Sequence, residues 1–70
     1  MHEICTYYIQ VRDQVDEITF NVASPLQITV VQFDSAVTLF TVSADQSGLI
    51  GLIRHLHQQG FLILSVRREQ

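Results

Sequence analysis

Seventy residues, 47% of them hydrophobic and 16% charged, describe one globular domain over residues 1–70, because so short a chain cannot be divided into two self-sufficient cores. The formal charge of −3, with no lysine and only Arg12, Arg54, Arg67 and Arg68 as fixed cations, opposes binding to nucleic acid, which depends on clustered basic groups releasing counterions. Cys5 is the single cysteine, so neither an intramolecular disulfide nor a thiolate zinc site can form, and a reducing, cytoplasmic compartment is expected.

A domain of this length buries only roughly 60% of the surface its unfolded chain exposes. Without a disulfide or a metal, a partner subunit is the remaining aid to stability. The opening MHEICTYYIQVRD has no basic segment followed by an apolar one, and no apolar run approaches the ~18 residues of a membrane span. A soluble protein with no membrane partner is expected.

In CTYYIQVR, Cys5, Tyr7, Ile9 and Val11 alternate with Thr6, Tyr8, Gln10 and Arg12, the period-two pattern of a half-buried strand whose first set faces the core. The polar RDQVDE ends that strand. ITFNVAS favours a strand by propensity at Ile18, Thr19 and Val22, yet Val15, Ile18, Phe20 and Val22 fit no single period. Pro25 then marks the start of an extended segment, and Leu26 to Phe33 reads as a strand with Leu26, Ile28 and Val30 on one face and Thr29, Val31 and Phe33 on the other. Asp34-Ser35 reads as a tight hairpin, without the usual glycine, leading into a strand over Val37 to Val42.

Ser43 with Gln46 three residues later has the form of a capping box, and Asp45 adds a carboxylate where a helix dipole favours it. Leu49, Leu52, Ile53 and Leu56 then follow the i, i+3, i+4, i+7 pattern of an apolar helical stripe. Gly60 supplies a left-handed C′ position, and Phe61 to Val66 forms the final strand. Gly48 and Gly51 each cost about 0.5–1 kcal/mol relative to alanine inside a helix. Close approach of the helix to the sheet is the expected offset at both.

At DQSGLIGLIRHLHQQGFLILSVRR the chain resembles a group of small, stand-alone, uncharacterised bacterial proteins whose C-terminal half reads approximately D-Q-x-x-L-x-G-L-L-x-x-I-x-x-x-G-L-x-L-L-S-V. Asp45, Gln46, Leu49, Gly51, Leu52, Gly60, Leu64, Ser65 and Val66 match as they stand. The likeness covers about residues 26–68 and is looser upstream, where ITFNVAS replaces the group's tryptophan-rich segment. That segment looks helical, so the resemblance implies a short or irregular crossover helix over residues 15–24 and a β-α-β-β-α-β sandwich of the α+β class, similar to ferredoxin-like and ACT-type modules. It carries no catalytic residues. A fifth strand is the alternative to that crossover helix, and the strand pattern alone accommodates β-β-β-α-β almost as well.

His55 and His57, two apart on a helix, project about 200° from each other and cannot share a metal. His2 and Cys5 would add ligands only if the first strand ran beside that helix, and no closed ligand set is visible, so no metal or other cofactor is expected. Cys5 alternates with Tyr7 and Ile9 and is expected to be buried, unlike a reactive thiol. Asp13, Asp16 and Glu17 read as a solvated acidic turn. No convergent polar set suggests a small enzyme.

The face of the sheet opposite the helices carries the more informative signal. If Ile9 and Val11 point inwards with Ile28, Leu39, Leu52 and Leu56, then Tyr8, Val31 and Phe33 should point away, as should Phe40, Val42, Leu62, Leu64 and Val66. So much exposed apolar surface usually marks an interaction site. The expectation is a non-enzymatic interaction or regulatory module that forms a homo-dimer or higher homo-oligomer through this face, with an unidentified protein partner also compatible. An ACT-like small-metabolite sensor is the alternative, although DQVDE lacks the glycine such loops commonly use. Single-strand nucleic-acid binding would need Tyr8 and Phe40 as stacking platforms, against the negative charge.

Overall fold

The structure, a computed structural model, describes residues 3–34 and 36–69. Six elements follow one another: β1 (Cys5–Arg12), α1 (Glu17–Ala23), β2 (Thr29–Phe33), β3 (Val37–Ala44), α2 (Gln46–Gln58) and β4 (Ile63–Arg68). The strands form one antiparallel sheet in the order β2-β3-β1-β4. The class is α+β, and a helix rather than a fifth strand connects β1 to β2.

α1 starts because the Asp16 side chain caps it: Oδ1 accepts from the Ile18 N–H at 3.2 Å, and Oδ2 accepts from the Thr19 hydroxyl at 3.0 Å. Its irregular apolar spacing has a simple cause. Phe20 faces the core while Ile18 and Val22, one turn apart, face solvent. Ser24 ends the helix, its N–H bonded to the Phe20 carbonyl, and its side chain also accepts from the Leu26 N–H at 3.2 Å. Asn21 engages the backbone of Ile28. These side chains occupy backbone groups that a strand would need, so β2 begins at Thr29 and not at Leu26.

The turn into β3 is held by Asp34, whose Oδ1 accepts from the Ala36 and Val37 N–H groups at 2.8 and 2.9 Å. Those two bonds, Ala36 first, draw the Asp34 carboxyl below its ordinary pKa. A carboxylate holds the turn where glycine was missing. Ser35 of the expected hairpin, like His2, lies outside the described residues.

Asp45, not Ser43, caps α2: its Oδ1 accepts from the Gly48 N–H at 2.7 Å, while Ser43 is still in β3 beside Thr6. Leu52 and Leu56 are fully buried, with Leu49 and Ile53 half-buried beside them. The helix ends on a Schellman pair of hydrogen bonds, Gly60 N–H to the His57 carbonyl and Phe61 N–H to the Leu56 carbonyl, both 3.0 Å. Gly60 takes φ 88 there. With Phe61 spent on that motif, β4 starts at Ile63.

The two interior glycines differ. A Cβ on Gly48 would lie 3.2 Å from Asp45 Oδ1 and 3.3 Å from the Ala44 Cβ, so close approach does require it. Gly51 is exposed with open space around it, so the expected packing role fails there.

Ile9, Val11, Ile28, Phe40, Leu52 and Leu56 form the centre of the core, each worth roughly 1.5–3 kcal/mol when buried. Phe20 joins the helices to it, with ring centroids 6.3 Å from Phe40, 6.1 Å from Phe61 and 5.4 Å from the edge-on His55. Thr38 is the buried polar residue of this core. It donates to the Asp13 carbonyl at 2.9 Å and accepts from the Val15 N–H at 3.1 Å, tying the β1–α1 connection to β3. Among the described residues no helix is long and apolar enough to cross a membrane.

Candidate interaction surface

The register of β3 decides which side chains the outer face displays. Ile9 stands opposite Phe40, and Tyr7 opposite Val42, so Phe40 and Val42 share the helix-bearing face and are 0% and 3% exposed. Neither can contribute to an outer surface. Leu39, expected in the core, stands opposite Gln10 on the outer face instead. A shift of one residue in phase moves a whole strand's side chains to the other side.

Two bulges correct further positions. Val31 is the extra residue between the Val30–Phe40 and Gln32–Leu39 pairs, which returns Phe33 to the helix-bearing side, opposite Thr38. There Phe33 is exposed and walls a shallow groove with Val15, Val30 and Glu17. Leu64 is likewise extra between the Val11–Ile63 and Gln10–Ser65 pairs, so Val66 stands opposite Ile9 on the helix side. Of the eight side chains expected on the outer face, Tyr8 sits there by its pairing with Thr41 and Arg67.

That face is mixed in character. Thr41, Tyr8 and Arg67 form one cross-strand row, and Leu39, Gln10 and Ser65 another, with the Ser65 hydroxyl donating to Gln10 Oε1 at 3.3 Å. The Tyr8 hydroxyl donates to Glu69 Oε1 at 2.9 Å. That bond, reinforced by the charge of Glu69, raises the Tyr8 pKa above its ordinary value. The broad apolar face expected from the sequence is absent among the described residues. With Phe40 buried, a two-ring stacking platform for bases is lost as well.

Apolar exposure is spread over other parts of the molecule. Leu62, Leu64 and Val66 are 54%, 42% and 36% exposed along or just before β4, less than Ile18 and Val22 of α1 and Phe33 of β2 taken together. Among the described residues β4 has β1 on one side and no strand on the other. The opposite edge, β2, is treated differently by the chain: Asn21 on α1 accepts from the Ile28 N–H at 2.9 Å and donates to the Ile28 carbonyl at 3.1 Å, and Glu17 Oε1 accepts from the Val30 N–H at 2.6 Å. Side chains of α1 thus stand where a further strand would pair.

A second concavity, about 230 Å³, opens between the two helices and is lined by Val15, Phe20, Phe61, His55 and Gln59 with Asp16 and Thr19 at the α1 N-terminus. The connection leading to it lacks glycine, but Asp13 takes φ 80 in the region glycine favours. His57 is exposed on α2. Cys5 is half-buried rather than buried, with Sγ 3.8 Å from Glu3 Oε1. Among the described residues no three His, Cys, Asp or Glu side chains converge as metal ligands would.

Sequence reasoning missed the caps from Asn21 and Glu17 and the exposed pair Ile18 and Val22. The mixed period of residues 15–22 was the available signal for the pair. No protein-family model, no curated protein and no solved structure matches the chain.

Proposed function

We propose that the chain is a non-enzymatic interaction or regulatory module, acting in the cytoplasm, that self-associates through the β4 side of its sheet. The observation that carries this reading is the open edge of β4, which has no strand beside it among the described residues and carries exposed Leu64 and Val66, with exposed Leu62 just before it. A ferredoxin-like arrangement is part of the same reading. It is supported by the element order β-α-β-β-α-β together with the strand order β2-β3-β1-β4. The likeness of its C-terminal half to small bacterial proteins fits such a stand-alone module. Light scattering coupled to size exclusion tests self-association. A mass near twice the 8.0 kDa chain at micromolar concentration supports the reading, and 8.0 kDa at every dilution contradicts it.

The cleft between the helices favours a second reading, a sensor of a small metabolite. Phe20 and Phe61 supply apolar walls, and His55, Gln59 and Thr19 supply polar groups at the rim. A ligand bound there would raise the melting temperature increasingly as its free concentration exceeds its dissociation constant. A panel of amino acids and aromatic acids that leaves the melting temperature unchanged sinks this second reading.

A further inference from the structure

We infer that the occupant of the β4 edge is the β4 of a second copy of this chain, paired antiparallel about a two-fold axis so that two sheets join into one of eight strands. This deepens the self-association proposed above and rests on it. Leu62 and Glu69 turn their backbones towards β1: the Leu62 carbonyl accepts from the Arg12 N–H at 2.9 Å, and the Glu69 N–H donates to the Thr6 carbonyl at 2.8 Å. Alternation from Glu69 directs the N–H and C=O groups of Arg68 and Val66 away from β1, into the open side. Such a row is a template for another strand.

The other edge determines which strand. Asn21 and Glu17 already engage the backbone of Ile28 and the Val30 N–H, so β4 of another copy would have to displace these side chains to pair along β2. A head-to-tail filament is thereby disfavoured. The self-complementary pairing of β4 with β4 remains, and it closes after two copies.

Charge fixes the direction. β4 begins beside Arg12, next to Asp13, and finishes at Arg67 and Arg68. A parallel pair would set four arginines side by side. The antiparallel pair separates the two arginine ends by roughly 20 Å, at ~3.3 Å per residue.

The test replaces Val66 by proline, which removes an outward N–H while sparing those that face β1, with Val66→Thr as the control that keeps the N–H. Val66→Pro is expected to raise the dimer dissociation constant roughly tenfold or more with circular dichroism unchanged. A folded Val66→Pro that dimerises like Val66→Thr overturns the β4 pairing while self-association stands; a wild-type monomer overturns both. If Val66→Pro does not fold, mixed-label NMR on the wild-type dimer decides. Interchain contacts between Ile63–Arg68 amides support the pairing, and contacts confined to Tyr8, Leu39 and Thr41 overturn it.

Discussion

The two edges of this sheet are built from similar strands, yet they meet solvent differently. β2 (TVVQF) carries no charge and no proline, and β4 (ILSVRR) is uncharged up to Arg67. By composition both are open to pairing with another chain. The difference comes from outside the strands: α1 crosses beside β2 and gives the backbone there an amide and a carboxylate, whereas among the described residues no strand lies beyond β4. A seven-residue helix with a single buried aromatic serves less as a packing element than as a guard for one edge. With that guard on one side only, the two edges differ in the backbone groups they leave open.

The largest effect should come from removing the anchor of the guard. Phe20→Ala deletes the ring that joins α1 to Phe40, His55 and Phe61, and should cost about 3–5 kcal/mol, read from urea unfolding. If the protein stays folded, it should also assemble beyond the dimer as β2 opens. A loss below about 1 kcal/mol would mean that α1 is not held by this cluster.

Asn21→Leu is a narrower break. It keeps α1 in place while leaving the Ile28 N–H and C=O without their side-chain partner, at a cost of about 1–3 kcal/mol. Its sharper signature is in light scattering, where mass should grow with concentration past two chains. A variant that remains strictly dimeric would show that Asn21 does not keep the β2 edge closed.

A third substitution sharpens the comparison by touching neither edge. Gly51→Ala, in open space on α2, should stabilise the fold by about 0.5–1 kcal/mol and leave the dimer constant alone. Gly48→Ala should show no such gain, because its Cβ would press on Asp45 and Ala44. Thermal melts of the two variants side by side give the contrast.

The smallest effect is on pH dependence at the β4 side. Tyr8 is held protonated by its bond to Glu69, so its folded pKa lies above the unfolded one. The stabilisation is therefore fully present below the unfolded value of about 10 and is lost as pH rises through the folded value. Tyr8→Phe should remove that alkaline step, and an NMR titration of the Tyr8 ring that shows a midpoint below 10 would contradict the account.

β1 was legible because only one of its two phases is apolar at Ile9 and Val11. α2 was legible because its stripe, Asp45 and Gly60 agree. β3 misled because both phases offer bulky residues, Val37 and Leu39 on one side and Phe40, Val42 and Ala44 on the other. The clean alternation Phe40, Thr41, Val42, Ser43, Ala44 was the signal, and it pointed inwards for Phe40. Phe33 and Val66 were displaced by single-residue bulges, which alter pairing phase without altering composition. The clamp of Asn21 on Ile28 was not legible at all. It depends on the chain reversing at Ser24 and Pro25 so that a side chain and a backbone seven residues apart come face to face.

Residue-resolved amide exchange across a dilution series tests the central contrast most directly. The account predicts that the Ile28 and Val30 amides, engaged by Asn21 and Glu17 within one chain, are protected equally at every concentration. The Val66 and Arg68 amides should be protected only where the protein is dimeric. Val66 and Arg68 exchanging freely in a fully dimeric sample would contradict it.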